Sequence, residues 1–228
     1  YDSKGDTLWV RRYNGPGNDW DEARALVVDA SGNVYVTGES YDSVTHRDYA
    51  TIKYNSAGDT LWIRRYNGPG DYNDVACALA VDDLGNVYVT VRSGGEGSSY
   101  VYATIKYDSG GDTLWVRRYN GPGNDWDEAR ALVVDTSGNV YVTGESYGSG
   151  TNRDYTTIKY NSAGDTLWIR RYNGPGDIDD DAYALAVDAS GNVYITGTGT
   201  SYDYATIKYA PNGDTLWVRH YDGPRNWG

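Results

Sequence analysis

Short runs of alternating apolar and polar residues, divided by glycine-bearing turns, recur along the whole chain. Over 60–66, Leu61 and Ile63 fall on one side while Trp62 and Arg64 fall on the other. Over 49–54, Ala50, Ile52 and Tyr54 oppose Tyr49, Thr51 and Lys53. A period of two marks a β-strand. No window of eleven or more residues carries an apolar stripe at helical spacing, so an all-β chain is expected. Both faces of these runs carry bulk, which suits sheets packed between two neighbours.

Four strands, A to D, are expected in the first full copy of this pattern, at about 23–29, 34–38, 49–54 and 60–66. Ala30-Ser31-Gly32-Asn33 joins A to B, and Asn55-Ser56-Ala57-Gly58-Asp59 joins C to D. Both connections are short and suit antiparallel hairpins. Asn67-Gly68-Pro69-Gly70 follows D, where proline supplies no ladder donor and the chain must leave the sheet. The D-to-A and B-to-C connections then share one end of each sheet, and the hairpins share the other. Leu26, Val28, Val34, Val36, Ile52, Leu61 and Ile63, with their equivalents, are the expected core.

The pattern is a tandem repeat. Gly-Asp-Thr-Leu-Trp begins at Gly5, Gly58, Gly111, Gly164 and Gly213, at spacings of 53, 53, 53 and 49. Each interval also holds one Ala-Leu-x-Val-Asp, one Gly-Asn-Val-Tyr and one Thr-Ile-Lys-Tyr. A period near 50 residues with four strand-like runs is the signature of a β-propeller blade. The expected architecture is four full repeats of about 53 residues, each a four-stranded antiparallel blade, plus one extra strand. A single repeat domain over 1–228 would hold blades at about 18–67, 71–120, 124–173 and 177–222, with the extra strand at 6–13. Strand D occurs five times against four copies of A, B and C. Leu8, Trp9 and Val10 at one end, with Leu216 and Trp217 at the other, are therefore candidate assembly residues. Residues 5–41 match 111–147 everywhere except Ala30 against Thr136, so the duplicated unit is a pair of blades.

The run from Asp154 to Trp168, Asp-Tyr-x-Thr-Ile-Lys-Tyr-Asn-Ser-Ala-Gly-Asp-Thr-Leu-Trp, stands beside Ala-Leu-Ala-Val-Asp and Gly-Asn-Val-Tyr. Together these resemble the bacterial seven-bladed β-propeller repeat family, SBBP, over essentially the whole chain. The resemblance implies four-stranded blades in secreted or surface-attached proteins, and so an extracellular or cell-surface place. It supplies no catalytic residue. Seven repeats of this period would need more than the 228 residues present, so the blade number stays open.

Composition and charge narrow the partners. Tyr reaches 24, Trp 8 and Gly 29, with no Phe or Met, which suits pleated surfaces and tight turns. The net charge of -12 argues against nucleic acid and anionic membranes, which need clustered Lys and Arg. No stretch is long and apolar enough for membrane insertion. The first residue is Tyr1, inside a repeat, so the sequence reads as a mature or excised piece. Cys77 lies among Ala76, Ala78 and Leu79, which suggests a small buried hydrophobe, and nothing nearby in sequence offers the electropositive setting of a reactive thiol.

Candidate chemistry is sparse. His46 and His220 are isolated, and no nucleophile elbow, phosphate-binding glycine loop or zinc pattern occurs. A non-enzymatic protein is expected, with no required cofactor. The D-to-A loops are the richest feature, and they give Trp20, Asp21, Tyr72, Trp126, Asp127 and Asp179 as candidate ligand contacts. Oxygens clustered in these loops could help hold calcium, although the spacing of a calcium loop is missing. The alternative is that Asp21, Asp74, Asp127 and Asp180 accept hydrogen bonds as staples within the blades. The paired arginines, such as Arg64-Arg65, would form exposed ion pairs. The B-to-C loops at 41–47, 93–100, 147–153 and 198–202 vary most, and variable loops on a rigid scaffold often carry specificity. Two functions compete. One is an extracellular assembly scaffold, joined through its terminal strands to other copies or to further blades. The other is a lectin-like or protein-binding propeller that uses the Trp-bearing loops on glycans or surface proteins.

Overall fold

The computed structural model describes residues 2–44, 46–70, 72–95, 99–199 and 203–223. Those residues form sixteen strands in four sheets of four, each sheet following chain order. The first blade holds β1 (Asp21–Val28), β2 (Val34–Asp42), β3 (His46–Tyr54) and β4 (Thr60–Tyr66). The second holds β5 (Val75–Val81), β6 (Val87–Gly94), β7 (Tyr100–Tyr107) and β8 (Thr113–Tyr119). The third holds β9 (Asp127–Val134), β10 (Val140–Tyr147), β11 (Arg153–Tyr160) and β12 (Thr166–Tyr172). The fourth holds β13 (Asp181–Val187), β14 (Val193–Thr198), β15 (Tyr204–Tyr209) and β16 (Thr215–Tyr221). Residues 1–98 with 104–116 make one compact unit, and 99–103 with 117–228 make a second.

Side-chain hydrogen bonds fix the A-to-B hairpins. Asp29 Oδ1 accepts the Ser31 and Asn33 backbone N–H groups, and its Oδ2 accepts the Asn33 amide and the Tyr35 hydroxyl, all within 3.0 Å. Asp82, Asp135 and Asp188 hold their own turns in the same way. Each turn anchors the tyrosine that stands second in the next strand.

Two bulges recur. Between strands A and B the register shifts around Arg24, Cys77 and Tyr183. Between C and D it shifts so that Leu61, Leu167 and Leu216 are passed over in the ladder. A bulge leaves one residue unpaired and re-aims its side chain. This overturns part of the expected core. Leu61, Leu114, Leu167 and Leu216 are all exposed, and their neighbours Trp62, Trp115 and Trp168 are buried instead. Val28 and Ile63 are exposed as well, and Leu26 is exposed on the first blade although its equivalent Leu132 is buried. Ile52 is buried, as are Val87, Val89, Val140, Val142, Val193 and Ile195 at the places of Val34 and Val36.

The core lies where blades meet face to face. We call the face of a blade toward lower residue numbers its leading face and the opposite one its trailing face. In the second unit, Tyr141, Tyr155 and Trp168 of the third blade's trailing face pack with Ala182, Val193, Ile195, Ala205, Ile207 and Tyr209 of the fourth blade's leading face. In the first unit, Trp62 meets Tyr107 with ring centres 6.2 Å apart, and the Tyr49 and Tyr107 hydroxyls lie 2.6 Å apart. Burial first, then the Tyr107 hydroxyl, pushes the Tyr49 phenol well above its ordinary pKa.

In the first blade β2 runs to Asp42 and β3 begins at His46, and in the third β10 runs to Tyr147 and β11 begins at Arg153. Strands B and C therefore extend into the connections expected at 41–47 and 147–153. The corresponding loops at 93–100 and 198–202 lie partly outside the described residues.

Candidate functional site

The N-terminal segment is not a member of any strand, yet it lies where a D strand would lie. Trp9 Nε1 donates to the Ser56 carbonyl at 3.1 Å. Trp62 and Trp168 make the same bond to Ser109 and Pro211, at 3.2 and 3.1 Å. The Trp9 ring sits 5.9 Å from Tyr54, as Trp62 does from Tyr107 and Trp168 from Tyr209. Gly58 has φ +83 and the Trp9 ring against it, so a side chain there would be strained and would also strike the indole. Gly111 carries Trp62 and Gly213 carries Trp168 in the same manner. Arg11 pairs with Asp59 at 3.6 Å as Arg64 does with Asp112 at 3.5 Å. The Tyr13 hydroxyl accepts from Arg65 as that of Tyr119 does from Arg171. The candidate assembly residues Leu8, Trp9 and Val10 thus mimic the outer strand of a preceding blade. Leu8 and Val10 are exposed and Trp9 is partly buried.

Between this segment and the first blade lies a cavity of about 280 Å³. Leu26, Val34, Val36, Ala50, Ile52 and Tyr54 of the leading face form its apolar wall. These correspond to Leu185, Val193, Ile195, Ala205, Ile207 and Tyr209 of the fourth blade, where Tyr141 and Tyr155 fill the matching space.

The fourth blade's trailing face carries the filling groups. Tyr194 and Tyr204 stand in the places of Tyr141 and Tyr155, with Trp217 in the place of Trp168. Tyr155 is 1 % exposed, whereas Tyr204 is 64 % exposed. Leu216 is exposed and Trp217 partly so. Lys208 Nζ lies 4.9 Å from the Tyr194 ring centre, as Lys159 does at 5.0 Å from Tyr141.

At the loop end, Trp20 is 57 % exposed, with the Arg47 guanidinium 5.7 Å from its ring centre and its Nε1 donating to Glu22. Trp126 is 39 % exposed, its ring centre 4.8 Å from that of Tyr100 and tilted 55° to it, with Nε1 donating to Glu128. Tyr72 is exposed on the D-to-A loop between β4 and β5. The aspartates beside them turn inward. Asp21, Asp74, Asp127 and Asp180 each accept the backbone N–H of Gly15, Gly68, Gly121 and Gly174, within 2.7 Å. That is the staple geometry, and Asp74, Asp127 and Asp180 are fully buried in it. Asp179 pairs with Arg153 at 2.7 Å, and that bond, ahead of an opposing burial, holds its carboxyl below the ordinary range. Among the described residues, no group of three or more His, Cys, Asp and Glu side chains could hold a metal ion.

The arginine pairs differ from the expected exposed lattice. The first of each pair reaches the next blade: Arg64 Nε donates to the Gly111 carbonyl at 2.5 Å and Arg170 Nε to that of Gly213 at 2.6 Å. The second enters a buried network, where Arg171 donates to Asp154, Ser146, Thr156 and Tyr119. His220 takes this second place in the fourth blade, with its Nε2 3.1 Å from the Tyr172 hydroxyl. The sequence also misses Glu39 and Glu145, buried carboxylates that each pair with two arginines. Cys77 proves half-buried on its bulge, with Sγ 3.3 Å from the Val75 carbonyl.

The β-propeller repeat of the SBBP type matches residues 8–43, 114–150 and 167–205. The chain carries SBBP repeats. The matched SBBP stretches begin at Leu8, Leu114 and Leu167, so the N-terminal segment holds the same place as the opening of β8 and β12. The stretch from Leu61 falls outside them, and there Val91 and Arg92 stand where the first and third copies have Gly and Glu and the fourth has Gly197 and Thr198. No curated protein matches the chain. The solved structure of a candidate gluconolactonase aligns with it at 15 % identity and a TM-score of 0.46, covering 88 % of this chain and 64 % of that one. The SBBP chain thus spans less than two thirds of that structure's length.

Proposed function

We propose that this protein is a non-enzymatic extracellular scaffold, at the cell surface or secreted, whose SBBP blades build a larger structure through their terminal faces. The observation that carries this reading is the match between the two terminal faces, one covered by the N-terminal segment around a cavity and the other facing solvent at Tyr204. The first blade offers the aliphatic wall of a blade joint, and the fourth offers the tyrosines and tryptophan that fill one. Exposed apolar patches of this kind mark interaction surfaces. Partners are accordingly other copies of the chain or further blades of a longer one.

A second reading, a lectin-like or protein-binding propeller, is favoured by Trp20, which lies exposed beneath Arg47. Exposed indoles flanked by hydrogen-bonding groups suit sugars. Sedimentation of the native protein tests the first reading, which expects particles heavier than one chain. A glycan array tests the second. Specific binding lost in both Trp20→Ala and Trp126→Ala, by a protein that stays monomeric, would replace the scaffold with the lectin.

A further inference from the structure

We propose that the fourth blade of one copy docks on the first blade of another, displacing the N-terminal segment, which serves as a detachable cap. The proposal rests on the scaffold reading and names the joint. The joint inside the second unit is its template. There, Tyr141 and Tyr155 of one blade enter the space over Val193, Ile195, Ala205 and Ile207 of the next, and Trp168 covers Gly213. The first blade keeps the receiving side of this joint, in Val34, Val36, Ala50 and Ile52, around a cavity. The fourth keeps the entering side, in Tyr194, Tyr204 and Trp217. A second copy is therefore the occupant whose chemistry the chain itself specifies.

Docking brings two claimants to one place. Trp217 of the arriving blade must take the position over Gly58 that Trp9 holds, and Arg219 must take that of Arg11 beside Asp59. β16 is bound into its sheet by a ladder running from Tyr204 opposite Tyr221 to Tyr209 opposite Thr215. The N-terminal segment belongs to no strand and is held by the side chains of Trp9, Arg11 and Tyr13. The segment is the claimant that yields. Its contacts are remade by β16, and burial of Tyr194 and Tyr204 comes in addition. The cap thus keeps single copies apart at low concentration, since a site blocked most of the time has its affinity reduced by the open fraction.

Sedimentation velocity over a concentration series tests this with the full chain, a variant lacking residues 1–14, and full-length Trp9→Ala. Both variants are expected to associate at least about tenfold more tightly than the full chain, as for a site capped nine-tenths of the time. Tyr204→Asp, placed on an exposed side chain, is expected to abolish that association in each. Association no tighter in either variant overturns the proposal, whether the chain has closed on itself or stayed open. Tighter association that survives Tyr204→Asp overturns it too, because another surface is then in use. If the full chain and both variants never associate, the scaffold reading falls as well. If the full chain associates and the truncated one does not, the scaffold stands with a donated N-terminal strand, and only the cap is lost.

Discussion

The four turn aspartates and the buried Asp180 respond to acid in opposite senses. Burial opposes the charge on Asp135, but the Asn139 side chain and backbone, the Tyr141 hydroxyl and the Ser137 N–H outweigh it and lower the pKa. Asp188 reaches about 2, with the Asn192 side chain first among the causes. A lowered pKa contributes stability that is present above the ordinary aspartate range and is lost as pH falls through the folded value. Asp135→Ala removes an acceptor of four hydrogen bonds and leaves buried Tyr141 without its partner. We expect a loss of about 1–3 kcal/mol in urea unfolding at pH 7, shrinking toward pH 2. Asp180 lies on the other side. Burial first, then Asp154 and Asp181, push it up to about 6 despite the Gly174 N–H and His220. Its contribution is full below the ordinary aspartate range and is lost as pH rises through about 6. Asp180→Asn should therefore be no less stable than the parent at pH 7. It should also flatten the stability profile between pH 6 and 4, where the parent changes by at most about 1.4 kcal/mol per pH unit. An unchanged profile in urea titrations would contradict this.

At the scale of strands, hydrophobicity and position part company. Leu167 is passed over in the ladder and 51 % exposed, whereas Ile158, on the neighbouring strand, is fully buried. Ile158→Ala should cost about 2–5 kcal/mol and Leu167→Ala less than about 1, measured side by side by thermal or urea unfolding. Alternation in the sequence places Leu61 opposite Trp62 correctly, and it locates strands C and D closely. What alternation lacks is the bulge, which inserts a residue without changing the composition of the run. A trace of it is nonetheless present. In the motif Ala-x-Ala-Leu, the variable place holds Arg24, Cys77, Arg130 and Tyr183, and tolerance of three such different side chains is what an unpaired residue permits. The staple role of Asp21, Asp74, Asp127 and Asp180 was legible because it recurs in all four copies. The pairing of Glu39 with Arg24 and Arg47 was not, because its members lie 15 and 8 residues apart on strands whose register the sequence leaves open.

For the whole molecule, the same side chain has different worth in different blades. Tyr155 and Tyr204 hold equivalent places, the first buried against the fourth blade and the second facing solvent. Tyr155→Ala should destabilise the chain by about 3–5 kcal/mol, while Tyr204→Ala should change monomer stability by less than about 0.5. Unfolding at concentrations too low for association compares them directly. A large loss for Tyr204→Ala would mean that its face is already covered within one chain.

The nesting of a tryptophan over a glycine of the next blade, seen with Trp9, Trp62 and Trp168, also bears on how such chains grow. The latch does not register whether the two blades share a backbone. Duplicating the 106-residue pair inside the gene and adding a second molecule at the end are then two routes to one product. Lengthening by either route leaves the outermost surfaces as they were. Array length is thus free to vary under selection, while the latch that holds the array together stays the same.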